Sequence, residues 1–145
     1  MTMNEGLPFR ILLVDDDADD RMIIDDAFLE IGYAAEVKKF KDAHDLFKYM
    51  DGINSSLLPS LIVLDNTLPR LSASDVLKIL KEDPQYNSIP VVVYSNKISP
   101  TKKEELLALG AYDCVEKEVN MKDVIEMAKR LRNIAEQKSS DVPGH

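Results

Sequence analysis

The most informative segment of the chain is Leu61-Ile62-Val63-Leu64-Asp65. Four aliphatic residues in succession end in a carboxylate, without the alternation of polar and apolar residues that marks a strand with one solvent-facing side. A continuously apolar run of this length is typical of a parallel strand that helices cover on both faces. We therefore expect a buried parallel strand with an acidic residue at its carboxyl end.

Similar runs recur along the chain at intervals of roughly 20–30 residues, which leaves room for a helix after each strand and excludes direct hairpins. Apolar residues at helical spacing fill the intervals. The predicted strands are residues 11–14, 35–40, 61–64, 91–94 and 112–115, and the predicted helical segments include residues 22–31, 43–50, 76–80, 101–109 and 124–134. We expect an α/β fold of five βα units, with the second strand, which carries Lys38 and Lys39, at a sheet edge.

Composition excludes several classes of protein. The 145 residues are enough for one domain, and a lone cysteine, Cys114, excludes an internal disulfide and a Cys-rich zinc site. The formal net charge of −8 disfavours direct binding to nucleic acid. No apolar run approaches the ~20 residues of a membrane helix, and the first ten residues lack the pattern of a secretory signal. We expect a cytoplasmic protein that contacts neither membrane nor nucleic acid.

Polar groups follow the predicted strands at the edge where ligands bind in an open parallel sheet. The first strand is followed by Asp15 and Asp16, the third by Asp65, the fourth by Ser95 and the fifth by Lys117. Crowded carboxylates repel one another, so the three aspartates require a cation. Because carboxylate oxygens are hard ligands, we expect magnesium (Mg2+).

The charges of this predicted site suit phosphoryl transfer. Three carboxylates, one divalent cation and Lys117 cancel in formal charge, so that a phosphoryl dianion can enter. A carboxylate can also be the nucleophile and form an aspartyl phosphate. Asp65 is the candidate, because it stands alone after the most apolar strand. We assign Asp17, Asp19 and Asp20 to the N-terminus of the following helix, where acids are favoured by the helix dipole.

Together these residues resemble the receiver domain of two-component response regulators. The resemblance covers about residues 8–135, which we take as the domain, with residues 1–7 and 136–145 as flexible termini. It implies a flavodoxin-like, doubly wound five-stranded parallel sheet of order 2-1-3-4-5 with helices on both faces. The segments that carry it are Val14-Asp15-Asp16-Asp17, Leu61 to Asp65 with Leu68-Pro69, Val91-Val92-Val93-Tyr94-Ser95, and Gly110-Ala111 followed by Lys117.

The resemblance also implies roles. Asp65 would accept a phosphoryl group from the phosphohistidine of a sensor histidine kinase or a histidine phosphotransfer protein. Asp15, Asp16, Asp65 and the backbone carbonyl of Thr67 would hold Mg2+, and Ser95 and Lys117 would contact the phosphoryl oxygens. Such a domain is not a conventional enzyme, since it catalyses only its own phosphorylation and dephosphorylation. Because the chain ends soon after the fifth helix, we expect a stand-alone regulator that signals to an unidentified downstream protein, with a homodimer as an alternative.

Three of the departures from the family pattern concern the site and its switch. Cys114 stands where an aromatic switch residue is usual, which leaves Tyr112 or Tyr94 as the substitute. Asn96 follows Ser95 where a small residue is common, and its amide is expected to narrow the access of water or of a partner's histidine to Asp65. The residue after Lys117 is glutamate and not the proline of a cis peptide, so we expect a trans bond.

Two alternatives stay open. Asp15-x-Asp17, Ser95 and Lys117 also mimic, in order, the motifs of haloacid dehalogenase-like phosphatases, with Asp15 as nucleophile. That interpretation leaves Asp65 without a role. A receiver-like module that binds partners without being phosphorylated is the other alternative.

Overall fold

The computed structural model describes residues 9–140, with side chains described through residue 137. Within this range strands and helices alternate regularly. The strands are β1 (Ile11–Val14), β2 (Val37–Phe40), β3 (Leu61–Asp65), β4 (Val91–Ser95) and β5 (Asp113–Glu116). The helices are α1 (Ala18–Glu30), α2 (Ala43–Asp51), α3 (Ala73–Glu82), α4 (Pro100–Ala108) and α5 (Met121–Ser140). The predicted α/β class is confirmed.

The strands form one parallel sheet in the order β2-β1-β3-β4-β5, as the resemblance implied. Strand β2 lies on one side of β1, and β3, β4 and β5 follow in order on the other side. Val14 pairs with Leu64, so the residues that follow β1 lie beside the carboxyl end of β3. Asp65 in turn pairs with Tyr94 of β4. The topology therefore gathers the ends of β1, β3 and β4 at one edge.

Two hydrophobic clusters cover the two faces of the sheet, because successive side chains of a strand point to opposite faces. One cluster joins strand residues such as Leu12 and Ile62 to α2, α3 and α4. The other joins Ile11, Leu13 and Val63 to α1 and α5. No helix within residues 9–140 is both long enough and apolar enough to cross a membrane.

Several element boundaries differ from the sequence-based expectation. The start of the second predicted strand is a 3-10 turn over Ala34–Glu36, in which the Glu36 N–H donates to the Tyr33 carbonyl. Helix α1 begins four residues earlier than its first apolar marker, because the Asp17 side chain accepts from the N–H groups of Asp19 and Asp20 at 2.8 and 3.2 Å. Strand β5 begins one residue later than expected.

The expected flexible termini fall largely on residues 1–8 and 141–145, which lie outside the described residues. Residues 136–140, which we also expected to be flexible, continue α5.

Edge strand β2 holds one lysine on each face. The ammonium of Lys38 lies 5.5, 5.6 and 5.5 Å from the ring centroids of Phe9, Phe40 and Tyr49. Such distances allow cation–π attraction to each ring. On the opposite face, Lys39 Nζ lies 2.7 Å from Asp25 Oδ1 of α1. The predicted position of this strand at the sheet edge is confirmed.

Candidate functional site

Three carboxylates meet at the carboxyl ends of β1 and β3. One oxygen from each of Asp15, Asp16 and Asp65 lies within 4.8 Å of the others. Asp15 is 0% exposed and Asp65 is 1% exposed, whereas Asp16 faces solvent. The structure thus brings together the three predicted metal ligands, with two of them buried and one at the entrance.

The buried position of Asp15 makes its negative charge unfavourable. Burial raises the pKa of its carboxyl from 3.8 to about 6, and the nearby Asp65 carboxylate acts in the same direction. Hydrogen bonds from the Tyr94 hydroxyl to Oδ2 and from the Asp17 N–H to Oδ1 at 2.9 Å oppose this rise. Burial and the Asp15 carboxylate also raise the pKa of Tyr94, so its hydroxyl stays protonated and donates.

The two oxygens of Asp65 have different surroundings. Oδ1 accepts hydrogen bonds from the N–H and the Oγ1 hydroxyl of Thr67, each at 3.1 Å. Oδ2 lies 3.3 Å from Nζ of Lys117. Thr67 therefore fixes the plane of the carboxylate from the loop that follows β3, and Lys117 compensates the charge on the other oxygen.

Lys117 reaches into the cluster from the residue after β5, and its side chain is only 9% exposed. Its Nζ lies 2.7 Å from Asp20 Oδ2 and 3.3 Å from Asp15 Oδ2. The Tyr94 ring centroid is 4.7 Å from the same nitrogen. Burial alone lowers the pKa of a lysine, but the hydrogen bond to Asp20 and the nearby carboxylates outweigh it and raise the Lys117 pKa above its ordinary value.

Ser95, the last residue of β4, is buried beside this cluster. Its hydroxyl donates to the carbonyl of Lys97 at 2.9 Å, and its own carbonyl accepts from the Lys117 N–H at 2.7 Å. The second bond ties the end of β4 to the residue that carries the ammonium. Asn96, which follows Ser95, is exposed.

The sequence model of the family described as "Response regulator receiver domain" matches residues 11–129. The chain belongs to this family.

Relatives of this receiver domain include proteins of Oryza sativa and Methanothrix harundinacea. Two-component response regulator ORR11 of Oryza sativa subsp. indica is 30% identical over 127 residues, which cover 87% of this chain and 82% of that protein. The probable methanogenesis regulatory protein FilR2 of Methanothrix harundinacea is 34% identical over 95 residues, which cover 63% of this chain and 61% of that protein. The chain therefore aligns with less than two thirds of FilR2.

Among solved structures, that of the phosphorylated cyanobacterial phytochrome response regulator RcpA superposes with a TM-score of 0.75 at 26% identity. The superposition covers 87% of this chain and 92% of that one. The fold of the receiver domain is therefore shared over most of both chains.

The structure describes the other two departures from the family pattern, at Cys114 and at the residue after Lys117. Cys114 is buried in β5, and its burial raises the pKa of its thiol. Tyr112 is 55% exposed, whereas Tyr94 is buried and bonded to Asp15. No cis peptide bond occurs in the described part of the chain, which confirms the expected trans bond after Lys117.

Two residues of the receiver site make contacts that the sequence analysis did not predict. Asp20 lies in the first turn of α1, as expected, but it also makes the shortest contact of the Lys117 ammonium. Tyr94 was considered only as a switch residue, yet it bridges Asp15 and Lys117. The sequence feature that could have pointed to Asp20 as a site residue is its position in the first turn of a helix that begins at the same sheet edge as the site. No sequence pattern indicated its distant partner.

Proposed function

We propose that this receiver domain accepts a phosphoryl group on Asp65 from the phosphohistidine of a sensor histidine kinase or a histidine phosphotransfer protein. The observation that carries the proposal is the meeting of Asp65 with two further carboxylates and a buried ammonium at one edge of the sheet. The related protein RcpA has been solved in a phosphorylated form, which supports the same chemistry here.

In the proposed transfer, an oxygen of Asp65 forms a bond to phosphorus while the bond between phosphorus and the histidine nitrogen breaks. The electron pair of the broken bond stays on the imidazole nitrogen of the donor. Oδ2 is the favoured nucleophile, because Oδ1 already accepts two hydrogen bonds from Thr67. The Lys117 ammonium lies 3.3 Å from Oδ2, where it can pair with the oxygens of the transferred group.

The carboxylates of Asp15, Asp16 and Asp65 fit a hard divalent cation, since one oxygen from each lies within 4.8 Å of the others and carboxylates at such distances repel one another. We assign Mg2+ to these three residues and to the backbone carbonyl of Thr67. When bound, Mg2+ supplies charge neutralisation for the phosphoryl oxygens. The Ser95 hydroxyl, which donates to the Lys97 carbonyl, turns to a phosphoryl oxygen in the phosphorylated form.

We further propose that residues 8–135 act as the signalling unit, in the cytoplasm, and that a downstream protein reads the phosphorylated state. Exposed apolar side chains lie on α4, just before β5, in the loop between β5 and α5, and at the start of α5. They are Leu107, Tyr112, Val119 and Met121. A second copy of the chain is the alternative partner, and sedimentation with and without a phosphoryl analogue distinguishes the two.

The test is incubation with acetyl phosphate and Mg2+, followed by intact mass measurement. We expect one added phosphoryl group in the wild type, none in Asp65→Asn, and one in the control Asp26→Asn, which changes an exposed carboxylate of α1. A folded, Mg2+-binding wild type without the mass shift would favour a binding module that is not phosphorylated. Steady hydrolysis of a phosphomonoester that Asp15→Asn abolishes would favour the phosphatase alternative.

A further inference from the structure

Asp20 makes the closest contact of the Lys117 ammonium. Its Oδ2 lies 2.7 Å from Nζ, compared with 3.3 Å for the oxygens of both Asp15 and Asp65. The contact joins residues 97 positions apart and connects the first turn of α1 to the end of β5. The Asp20 side chain is 29% exposed, so it forms the solvent side of the pocket around the buried ammonium.

This contact competes with the function proposed for Lys117. An ammonium has three N–H donors, and here three carboxylates surround it. An oxygen of a phosphoryl group on Asp65 must therefore displace one of them or share its donor. The shortest and most exposed of the three contacts is the one to Asp20, which is not among the predicted metal ligands.

Asp20 also changes the charge that an incoming phosphoryl group meets. The three expected carboxylates, a divalent cation and Lys117 cancel formally, but Asp20 adds a fourth carboxylate. The Arg21 guanidinium, which donates to the Asp15 carbonyl, offsets part of this charge, but a carboxylate beside the Lys117 ammonium still repels a phosphoryl anion. Both effects of Asp20, the competition for Lys117 and the added charge, oppose retention of the phosphoryl group.

We propose that Asp20 is a positioning residue that restrains Lys117 and thereby weakens the binding of a phosphoryl group at Asp65. This inference rests on the proposed phosphorylation of Asp65. An asparagine at position 20 has nearly the same size and still accepts a hydrogen bond, but it carries no charge. Asp20→Asn therefore weakens the restraint on Lys117 without removing volume from the partly buried pocket.

The experiment measures the dissociation constant of fluoroberyllate, a phosphoryl analogue, at saturating Mg2+. We expect Asp20→Asn to bind it about fivefold more tightly than the wild type, as the loss of one partly buried charge contact predicts. The matched control is Asp19→Asn, which removes the same charge from the same helical turn at an exposed position and is expected to leave the constant unchanged. Equal affinities of wild type and Asp20→Asn, or equal gains in both variants, would overturn the inference.

A second readout tests whether the effect acts through Lys117. In the metal-free protein, we expect the 15N resonance of the Lys117 ammonium to shift in Asp20→Asn and to stay in place in Asp19→Asn. An unmoved resonance would overturn the positioning role even if the affinity changed. If the wild type itself does not bind fluoroberyllate, the proposed function is wrong and the inference falls with it; wild-type binding with an unaffected Asp20→Asn refutes the inference alone.

Discussion

Replacing Asp15 by asparagine is expected to stabilise the metal-free protein. Asp15 is fully buried, and its nearest charged neighbours include a second carboxylate, Asp65. A native state that keeps this group ionised at neutral pH bears a cost that the unfolded chain does not. The amide removes the charge and keeps the size of the side chain.

The magnitude follows from the pKa of Asp15, which is raised from 3.8 to about 6. Since one pKa unit corresponds to about 1.4 kcal/mol, ionised Asp15 lowers the free energy of unfolding at pH 7 by about 3 kcal/mol. The variant loses the ion pair with Lys117, whose ammonium keeps its contacts with Asp20 and Asp65. We therefore expect a net gain of about 1–2 kcal/mol in the free energy of unfolding.

Urea denaturation in the presence of a chelator measures this gain, with Asp26→Asn as the control for loss of an exposed carboxylate. Saturating Mg2+ is expected to raise the free energy of unfolding of the wild type, because a ligand stabilises the state that binds it. The difference in stability between the wild type and Asp15→Asn should therefore become smaller. An Asp15→Asn protein that is no more stable than the wild type without metal would refute the argument that burial makes this charge unfavourable.

The raised pKa of Asp15 makes its effect on stability depend on pH. The folded protein holds the Asp15 proton more tightly than the unfolded chain does, because the folded pKa is the higher one. The contribution of Asp15 to stability therefore decreases as the pH rises from about 4 to about 6. The difference between Asp15→Asn and wild type is expected to be small below this range and complete above it, and a difference independent of pH would contradict the assignment.

Three further outcomes are expected. Tyr33→Phe should leave the free energy of unfolding unchanged or raise it, because the buried Tyr33 hydroxyl has no hydrogen-bond partner among the described residues. Tyr86→Phe should lower the free energy of unfolding by about 1 kcal/mol, since the Tyr86 hydroxyl donates to a backbone carbonyl at 3.0 Å. Equal losses in chemical denaturation would contradict this contrast. Gly110→Ala should lower the melting temperature, at a cost of about 1–3 kcal/mol, because φ is +109° and the new Cβ would lie 2.9 Å from Cγ of Lys81. Asn96→Ala should shorten the lifetime of the aspartyl phosphate a few-fold by opening water access, and an unchanged decay rate in a mass time course would rule this out.

Much of the fold could be predicted because it depends on patterns that are local in sequence. The continuously apolar runs ending at Val14, Leu64 and Tyr94 identified buried parallel strands, and their spacing required helices between them. The predicted start of the second strand was wrong, because the Glu36 N–H donates to the Tyr33 carbonyl and forms a 3-10 turn before the strand begins. The apolar residues of this predicted strand do not by themselves indicate that hydrogen bond.

The rule that ligands bind at the carboxyl ends of parallel strands was sufficient to bring Asp15, Asp65 and Lys117 to one place. The rule does not predict contacts that depend on the position of the terminal atoms of a long side chain such as Lys117. Asp20 belongs to a helix and Tyr94 precedes the strand end, so neither follows from the rule. Their contacts with Lys117 are set by side-chain reach across the sheet edge.

The lysines of β2 determine how far the sheet can grow. A further strand added beside β2 would place its side chains against a cation on each face, one enclosed by three rings and one paired with Asp25. Charged groups on an outer strand oppose such additions. The sheet is thus protected against the addition of a sixth strand on the β2 side.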